Sequence, residues 1–442
     1  MDNRDSTALE TAAGPALGGY PAKLFIETTT FCNMTCDMCV KQAPESGIAN
    51  GHLSTALFQT LKPAFSLLDA LILNGVGEPL LHPHLEQFIR DARHEMPDSS
   101  WIGFQSNGLL LDSERARTLN EAGLDRICLS LDSLSQETFW QVRRGGEVDA
   151  IRRAFLALRE ARRDYPQGRL RWGIQFVVRR DNLHDLPEVL RWARREGADF
   201  ALVTQLMPYE RTQLSQTGYD TGTDAAVEIF ERWRREGIRQ GIDVTAYPRL
   251  AWRAADSESR KVMKLVERMK TEARCRDVFF DIKQLLGRDV EFHKQAAEVF
   301  STAAEAARRD GLELRLPALQ PRQQRHCAFV EEGGAFISWN GEVHPCYNLW
   351  HGYRCYINGW EKPVRPKVFG NLADQSLVDI WNSEEFVDFR RNVLDHEYPF
   401  CASCAVAPCD YVQEENFAQD CFLKSEPCGA CLWATGLLQC LQ

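Results

Sequence analysis

Along the first half of the chain, apolar residues fall alternately into short strand-like runs and longer runs with helical spacing, the pattern of repeated βα units with parallel strands. Six strands are predicted: Lys23 to Thr29, Ala70 to Val76, Trp101 to Ser106, Arg126 to Asp132, Arg171 to Val178 and Phe200 to Leu206. The helical runs between them are amphipathic. Leu183, Leu186, Leu190 and Ala193 share one face, and Gly197 is placed to cap that helix at its C-terminus. Six such units make about three-quarters of an eight-stranded barrel. The fold class is therefore α/β, a partial (β/α)6 TIM-like barrel over residues 21–240.

The pattern changes twice beyond the barrel. Residues 241–320 are charged and helix-favouring, rich in Arg, Lys, Glu and Ala, and read as a helical connector; Cys275 within it is a helix residue with no metal role. Residues 321–442 carry ten of the fifteen Cys, frequent Pro and Gly, and a hairpin signal at Asn340-Gly341 between FISW and EVHP. They read as a separate domain held by clusters. Residues 1–20 are expected to form a disordered tail.

Composition narrows the class. With 442 residues and 44% hydrophobic content the chain can bury a large core. The formal charge of −10 is spread rather than blocked, which argues against nucleic acid and against a polybasic membrane patch. The first residues lack the apolar centre of a signal peptide, and no run approaches the ~18 apolar residues of a membrane helix. A cytoplasmic protein is expected, with its cysteines as thiols or metal ligands rather than disulfides.

The candidate chemistry sits at the strand ends. Cys32, Cys36 and Cys39 form CxxxCxxC directly after the first strand. Three thiolates hold three irons of a 4Fe-4S cluster, and the fourth iron is then open for chemistry, as in a catalytic rather than structural metal site. The second strand ends in Gly75-Val76-Gly77-Glu78-Pro79, the third in Ser106-Asn107-Gly108, and the fourth carries Ser130 and Asp132. Polar groups and glycines at strand C-termini mark the active face of a parallel barrel.

This combination resembles the radical S-adenosylmethionine (radical SAM) superfamily over roughly residues 22–240. The resemblance implies a cluster on Cys32, Cys36 and Cys39 that binds S-adenosyl-L-methionine and cleaves it to a 5′-deoxyadenosyl radical. It assigns Gly77 and Glu78 to the methionyl ammonium, Asn107, Ser130 and Asp132 to the ribose, Arg179 to the methionyl carboxylate and Met38 to an adenine face. Two positions depart from the family pattern: Met38 replaces an aromatic residue, and Val76 replaces the first Gly of the GGEP motif.

Cys327, Gly341 separated by four residues from Cys346, Cys401-x-x-Cys404, Cys409, Cys421, Cys428 and Cys431 resemble a SPASM domain, which implies two auxiliary 4Fe-4S clusters. Two clusters need eight thiolates and the region has ten, leaving Cys355 and Cys440 as the candidate spares. Zinc is the rival occupant of paired CxxC units; the N-terminal motifs favour iron-sulfur clusters.

The stretches LILNGVGEPLLHP, WIGFQSNGLLL, CAFVEEGGAFISWNGEVHPC, VFGNLADQSLVDIWNSEEF and CGACLWATGLLQC are similar to radical SAM/SPASM maturases of metalloenzymes, including those implicated in tungsten-cofactor oxidoreductases. That likeness implies a protein, peptide or cofactor substrate, with a tungsten or molybdenum oxidoreductase as candidate partner and a ferredoxin or flavodoxin as reductant. An open edge on the partial barrel would admit a bulky partner. Peptide modification of the thioether or formylglycine type is the alternative reaction, and a non-catalytic iron-sulfur or zinc scaffold or electron carrier is the alternative class.

Other residues read as structure. Cys128 in RICLSLD alternates into a buried strand, His82 and His84 belong to a loop, and Trp339 and Trp381 are core anchors. The Arg-rich runs near 152–163 and 191–195 are solvated helix faces, and Asp132 also reads as a helix cap.

Overall fold

The computed structural model describes residues 14–250, 256–404 and 409–442. Strands β1 (Lys23–Ile26), β2 (Ala70–Ile72), β3 (Trp101–Ser106), β4 (Arg126–Ser130), β5 (Arg171–Val178) and β6 (Phe200–Gln205) pair in parallel in sequence order. All six expected strands are present; β1, β2, β4 and β6 stop short of the expected ends, where the chain turns into the loops that carry the site. Helices cross over between them. In the helix Leu186–Arg195, Leu186, Val189, Leu190 and Ala193 are buried, with Leu183 just before it, and Gly197 follows at φ +97°.

The sheet runs further than six strands. The helical connector ends in β7 (Glu313–Arg315), parallel to β6, and its long helix Val290–Asp310 packs on Leu186–Arg195. At the other edge β8 (Gly334–Ile337), the first strand of the C-terminal region, lies parallel to β1 with Phe25 opposite Phe336. Antiparallel β9 (Glu342–His344) and β12 (Gly370–Asn371) complete that edge. The Asn340-Gly341 hairpin joins β8 to β9, with Gly341 at φ +86°. Strands β10 (Tyr353–Ile357) and β11 (Trp360–Val364) form a separate two-stranded ribbon.

The C-terminal region is therefore continuous with the barrel sheet, and one hydrophobic cluster runs from Leu24 through Ile337 to Leu437. A second cluster, built on Phe230, Leu265, Met269 and Leu285, belongs to the connector helices and their neighbour Asp224–Arg239. Residues 1–13 of the expected tail lie outside the described residues. Residues 14–20 are docked: Arg390 Nε donates to Ala16 O (2.7 Å), and the Trp381 indole to Gly18 O (2.8 Å). No helix of the described residues is long and apolar enough to cross a membrane.

Candidate functional site

The cysteine loop leaves β1 and is tied down from three sides. Thr35 N donates to Arg144 O (3.0 Å) and Asp37 N to Val142 O (3.3 Å). Gln213 Nε2 donates to Asp37 O at 2.7 Å, and Arg179 Nη1 pairs with Asp37 Oδ2 at 3.2 Å. Cys39 N donates back to Cys36 O (3.2 Å), closing a turn between the second and third thiols. All three cysteines line one cavity of about 320 Å³.

Glycines let the neighbouring loop approach. A Cβ on Gly77 would lie 2.3 Å from Thr29 O and 2.5 Å from Phe31 O, so only glycine allows the β2 loop to pack against the base of the cysteine loop. Gly75 is crowded in the same way by the Glu27 side chain. Glu78 is 2% exposed and accepts from Leu80 N (3.1 Å), Ser106 Oγ (2.8 Å) and Asn107 N (2.7 Å). An ionised carboxylate has about four acceptor positions, so one remains for a cavity ligand. Burial pushes its acid strength down, raising its pKa, while the three donors counter the shift.

Met38, Gly77, Glu78, Asn107 and Ser130 line the cavity with the cysteines. Asn107 Nδ2 donates to Asn33 Oδ1 (2.7 Å), joining the third strand end to the cysteine loop. Asp132 and Arg179 are not among the lining residues. The Asp132 carboxylate accepts from Arg143 Nε (2.5 Å) and Val177 N (2.7 Å), and the Arg179 guanidinium is taken up by Asp37 and Asp181. Both residues are therefore engaged behind the surface, where they position others.

Arg143 is the cation that faces the cavity. It lies against the Cys36 thiol and Asp132. Sequence reasoning passed over it; its signal was the position Arg143-Arg144-Gly145-Gly146 after the helix that follows β4. Amides Asn74, Gln105 and Gln175 line the strand side in a hydrogen-bonded row. The chain's last described segment supplies Trp433, Leu438, Gln439 and Cys440 to the opposite wall.

The fit of the cysteines to iron rests on donor chemistry, since among the described residues no three His, Cys, Asp or Glu gather as a single-ion site. Burial pushes the Cys36 thiol up to about 11 and raises Cys39, a cost that binding to a cation removes. The same holds in the C-terminal region. Cys346 and Cys431 are buried and Cys327 and Cys428 half-buried, all within electrostatic reach of one another, with Cys346 pushed up to about 12 by burial and then by Cys431. Cys401, Cys404, Cys409 and Cys421 line a second cavity of about 170 Å³ walled by Phe279, Phe400, Tyr411 and Phe422. Two sets of four soft donors in apolar surroundings suit two iron-sulfur clusters. Cys355, Cys128 and Cys275 stand apart: Cys355 is buried beside Lys362 O, Cys128 is inside the barrel with Phe200, Leu202 and Leu441, and Cys275 is exposed. The histidines are structural too, with His82 Nε2 on Leu53 O at 2.9 Å and His82 Nδ1 accepting from His84 N at 3.1 Å.

Residues 26–193 match the family model of the radical SAM superfamily, and residues 327–405 match SPASM, an iron-sulfur cluster-binding domain. A relative from Pyrococcus furiosus, the tungsten-containing aldehyde ferredoxin oxidoreductase cofactor-modifying protein, is 27% identical over 425 residues, covering 94% of this chain and 96% of its own. The AdoMet-dependent heme synthase of Methanosarcina barkeri is 23% identical over 418 residues, covering 91% and 97%. The structure of Streptococcus suis SuiB bound to precursor peptide SuiA overlays at 12% identity with a TM-score of 0.49, covering 90% of this chain and 71% of that one.

Proposed function

This chain belongs to the radical SAM superfamily and carries a SPASM domain, and from that premise we propose that it matures a tungsten- or molybdenum-dependent oxidoreductase or its cofactor. The enzyme class brings a 4Fe-4S cluster and S-adenosyl-L-methionine, which together supply one-electron reductive cleavage to a 5′-deoxyadenosyl radical. The SPASM domain brings auxiliary iron-sulfur clusters. One observation carries the assignment to this site: the three loop thiols, a buried carboxylate with one acceptor position left and the Arg143 guanidinium surround one cavity at the C-terminal ends of parallel strands.

In this reading Cys32, Cys36 and Cys39 would hold three irons of the cluster, and the fourth would have no protein ligand and be available to S-adenosyl-L-methionine. The backbone at Gly77 and the remaining acceptor position of Glu78 receive the methionyl ammonium. Arg143 meets the methionyl carboxylate in place of Arg179, because it is the guanidinium that lines the cavity. Asn107 and Ser130 serve the ribose hydroxyls, and Met38 covers the adenine. Asp132 positions Arg143, and Arg179 positions the cysteine loop through Asp37. Water is kept out by the aromatic and aliphatic wall of Tyr209, Trp350, Trp433 and Leu438.

The full-length match to a cofactor-modifying relative supports the maturase reading. A low-potential electron donor of the ferredoxin or flavodoxin class and a cytoplasmic setting complete it. The test is anaerobic reconstitution with iron and sulfide, then incubation with dithionite and S-adenosyl-L-methionine. 5′-Deoxyadenosine and methionine are expected from the wild type and not from Cys36→Ala; no nucleoside from a fully loaded wild type overturns the enzymatic reading. For the partner, deletion of this protein in its host should leave the tungsten or molybdenum oxidoreductase inactive, and full oxidoreductase activity in the deletion strain overturns the maturase reading.

A further inference from the structure

Cys440 lines the same cavity as Cys32, Cys36 and Cys39, which none of the eight auxiliary thiols lines, and Cys346 of the first group lies within its electrostatic reach. Its placement is built. Gln205 N donates to Leu437 O (3.1 Å), Gln439 N to Thr204 Oγ1 (3.0 Å) and Gln439 Nε2 to Leu316 O (2.6 Å), which pins the segment to the end of β6. Burial pushes the thiol up to about 12, so it keeps its hydrogen at neutral pH.

Aromatic side chains flank this thiol. Tyr347 is 7% exposed, and its hydroxyl lies against the cavity-lining Asn74 and within electrostatic reach of Cys440. Trp433 lines the cavity beside the same thiol, and its buried indole N–H faces the Cys440 sulfur. Trp350, another lining residue, packs edge-on against Tyr347 with ring centroids 4.9 Å apart. Tyr347 is also the residue after Cys346, a member of the first auxiliary group. Oxidisable side chains thus run without a break from the cavity wall to an auxiliary cluster ligand.

We propose that Cys440 is the hydrogen-atom donor to the carbon radical formed on the substrate, an assignment that rests on the radical chemistry of the preceding section. An S–H bond is weaker than an ordinary C–H bond, so the transfer runs downhill. The carbon radical takes the hydrogen atom from Sγ, forming C–H and breaking S–H, and leaves a thiyl radical on Cys440. The thiyl takes one electron from a reduced auxiliary iron-sulfur cluster by way of Cys346 and Tyr347, and one proton from water, which restores the thiol. The electron comes from the low-potential reductant that the enzyme already needs.

The test requires no identified substrate. The reconstituted full chain is incubated in D2O with dithionite and S-adenosyl-L-methionine alone, and deuterium in the released 5′-deoxyadenosine is read by mass spectrometry. The exchangeable hydrogen of Cys440 makes the wild-type product monodeuterated, at least about threefold more than product from Cys440→Ser and Cys440→Ala. Iron content, measured on the same preparations, stays equal across the three proteins. Equal deuterium in all three overturns this proposal alone, as does loss of a cluster's iron in both variants, which would make Cys440 a ligand. No 5′-deoxyadenosine from the wild type would overturn the radical SAM reading and this proposal with it.

Discussion

The two cysteine-bearing regions solve opposite problems. Cys32, Cys36 and Cys39 come from one loop of eight residues and stand at the edge of an open cavity, so the protein supplies three ligands and leaves one side free. In the C-terminal region each group of four is gathered from farther apart, the first spanning Cys327 to Cys431 and the second Cys401 to Cys421, where the thiols line a cavity with aromatic walls. A ligand set that is local costs little chain entropy and can stay incomplete. A set that closes long loops stabilises the fold when it binds metal. The difference separates a site for chemistry from sites that hold structure and carry electrons.

Removing one ligand from each region breaks the comparison most directly. Cys36→Ala should abolish 5′-deoxyadenosine formation while leaving about two-thirds of the iron and an unchanged unfolding temperature, because the loop is still held by Arg144, Gln213 and Arg179. Cys346→Ala should instead lose a whole cluster's iron and yield a protein that unfolds or aggregates, since buried thiols remain without a cation. Iron analysis and thermal melts on both variants check this; equal losses of stability would show that both regions are structural.

Next in size is the packing between the β2 loop and the cysteine loop. Gly77→Ala places a methyl 2.3 Å from Thr29 O, a backbone atom that has no room to yield, and should cost roughly 1–3 kcal/mol along with most of the turnover. Gly19→Ala, where nothing lies within 4 Å, should change neither. Denaturant melts and a nucleoside assay on the two variants decide it.

Acid should strain both regions together. Burial holds His82 near the barrel site, and His344 and His396 in the C-terminal region, down to about 4 each. Their folded values lie below the unfolded value near 6.5, so the unfolded chain binds protons more readily. Stability is complete above about pH 6.5 and is lost progressively as pH falls toward 4. Melting temperature followed across that range should fall. His344→Gln should flatten the fall, and an unchanged slope would remove His344 from the account.

What the sequence made legible was local. The six strands show because apolar alternation is written residue by residue, and the Cys loop, Gly77, Glu78, Asn107, Ser130 and Met38 are visible because each lies at the C-terminal end of a strand or in the loop that follows it. The rest depends on pairings between distant segments. Nothing near Gly334–Ile337 announces that it will lie beside β1, and nothing in Trp433 to Cys440 announces a cavity wall. Asp132 and Arg179 sit at strand ends like true site residues, but their charges are consumed by Arg143 and by Asp37 and Asp181, partners that spacing alone does not reveal. Arg143 faces the cavity because a loop past the next helix turns back under Asp132.

The smallest expected effect concerns the turn that carries Cys421. Leu423 has φ +64° and is 75% exposed, a conformation costly for a branched side chain that buries little in return. The turn persists because Asp420 Oδ1 accepts from Phe422 N (2.8 Å) and Lys424 N (3.0 Å), while Leu423 N donates to Asp420 O (3.0 Å). Leu423→Asn keeps the backbone geometry with a residue that tolerates it, and should raise stability by about 0.5 kcal/mol, roughly half a degree in a chain of this size. Iron content should not change, because Asp420 rather than Leu423 fixes where Cys421 points. Should the variant lose iron, the side chain of Leu423 itself must be shielding the second group of thiols, and that group would be less enclosed by the aromatic residues than its lining implies.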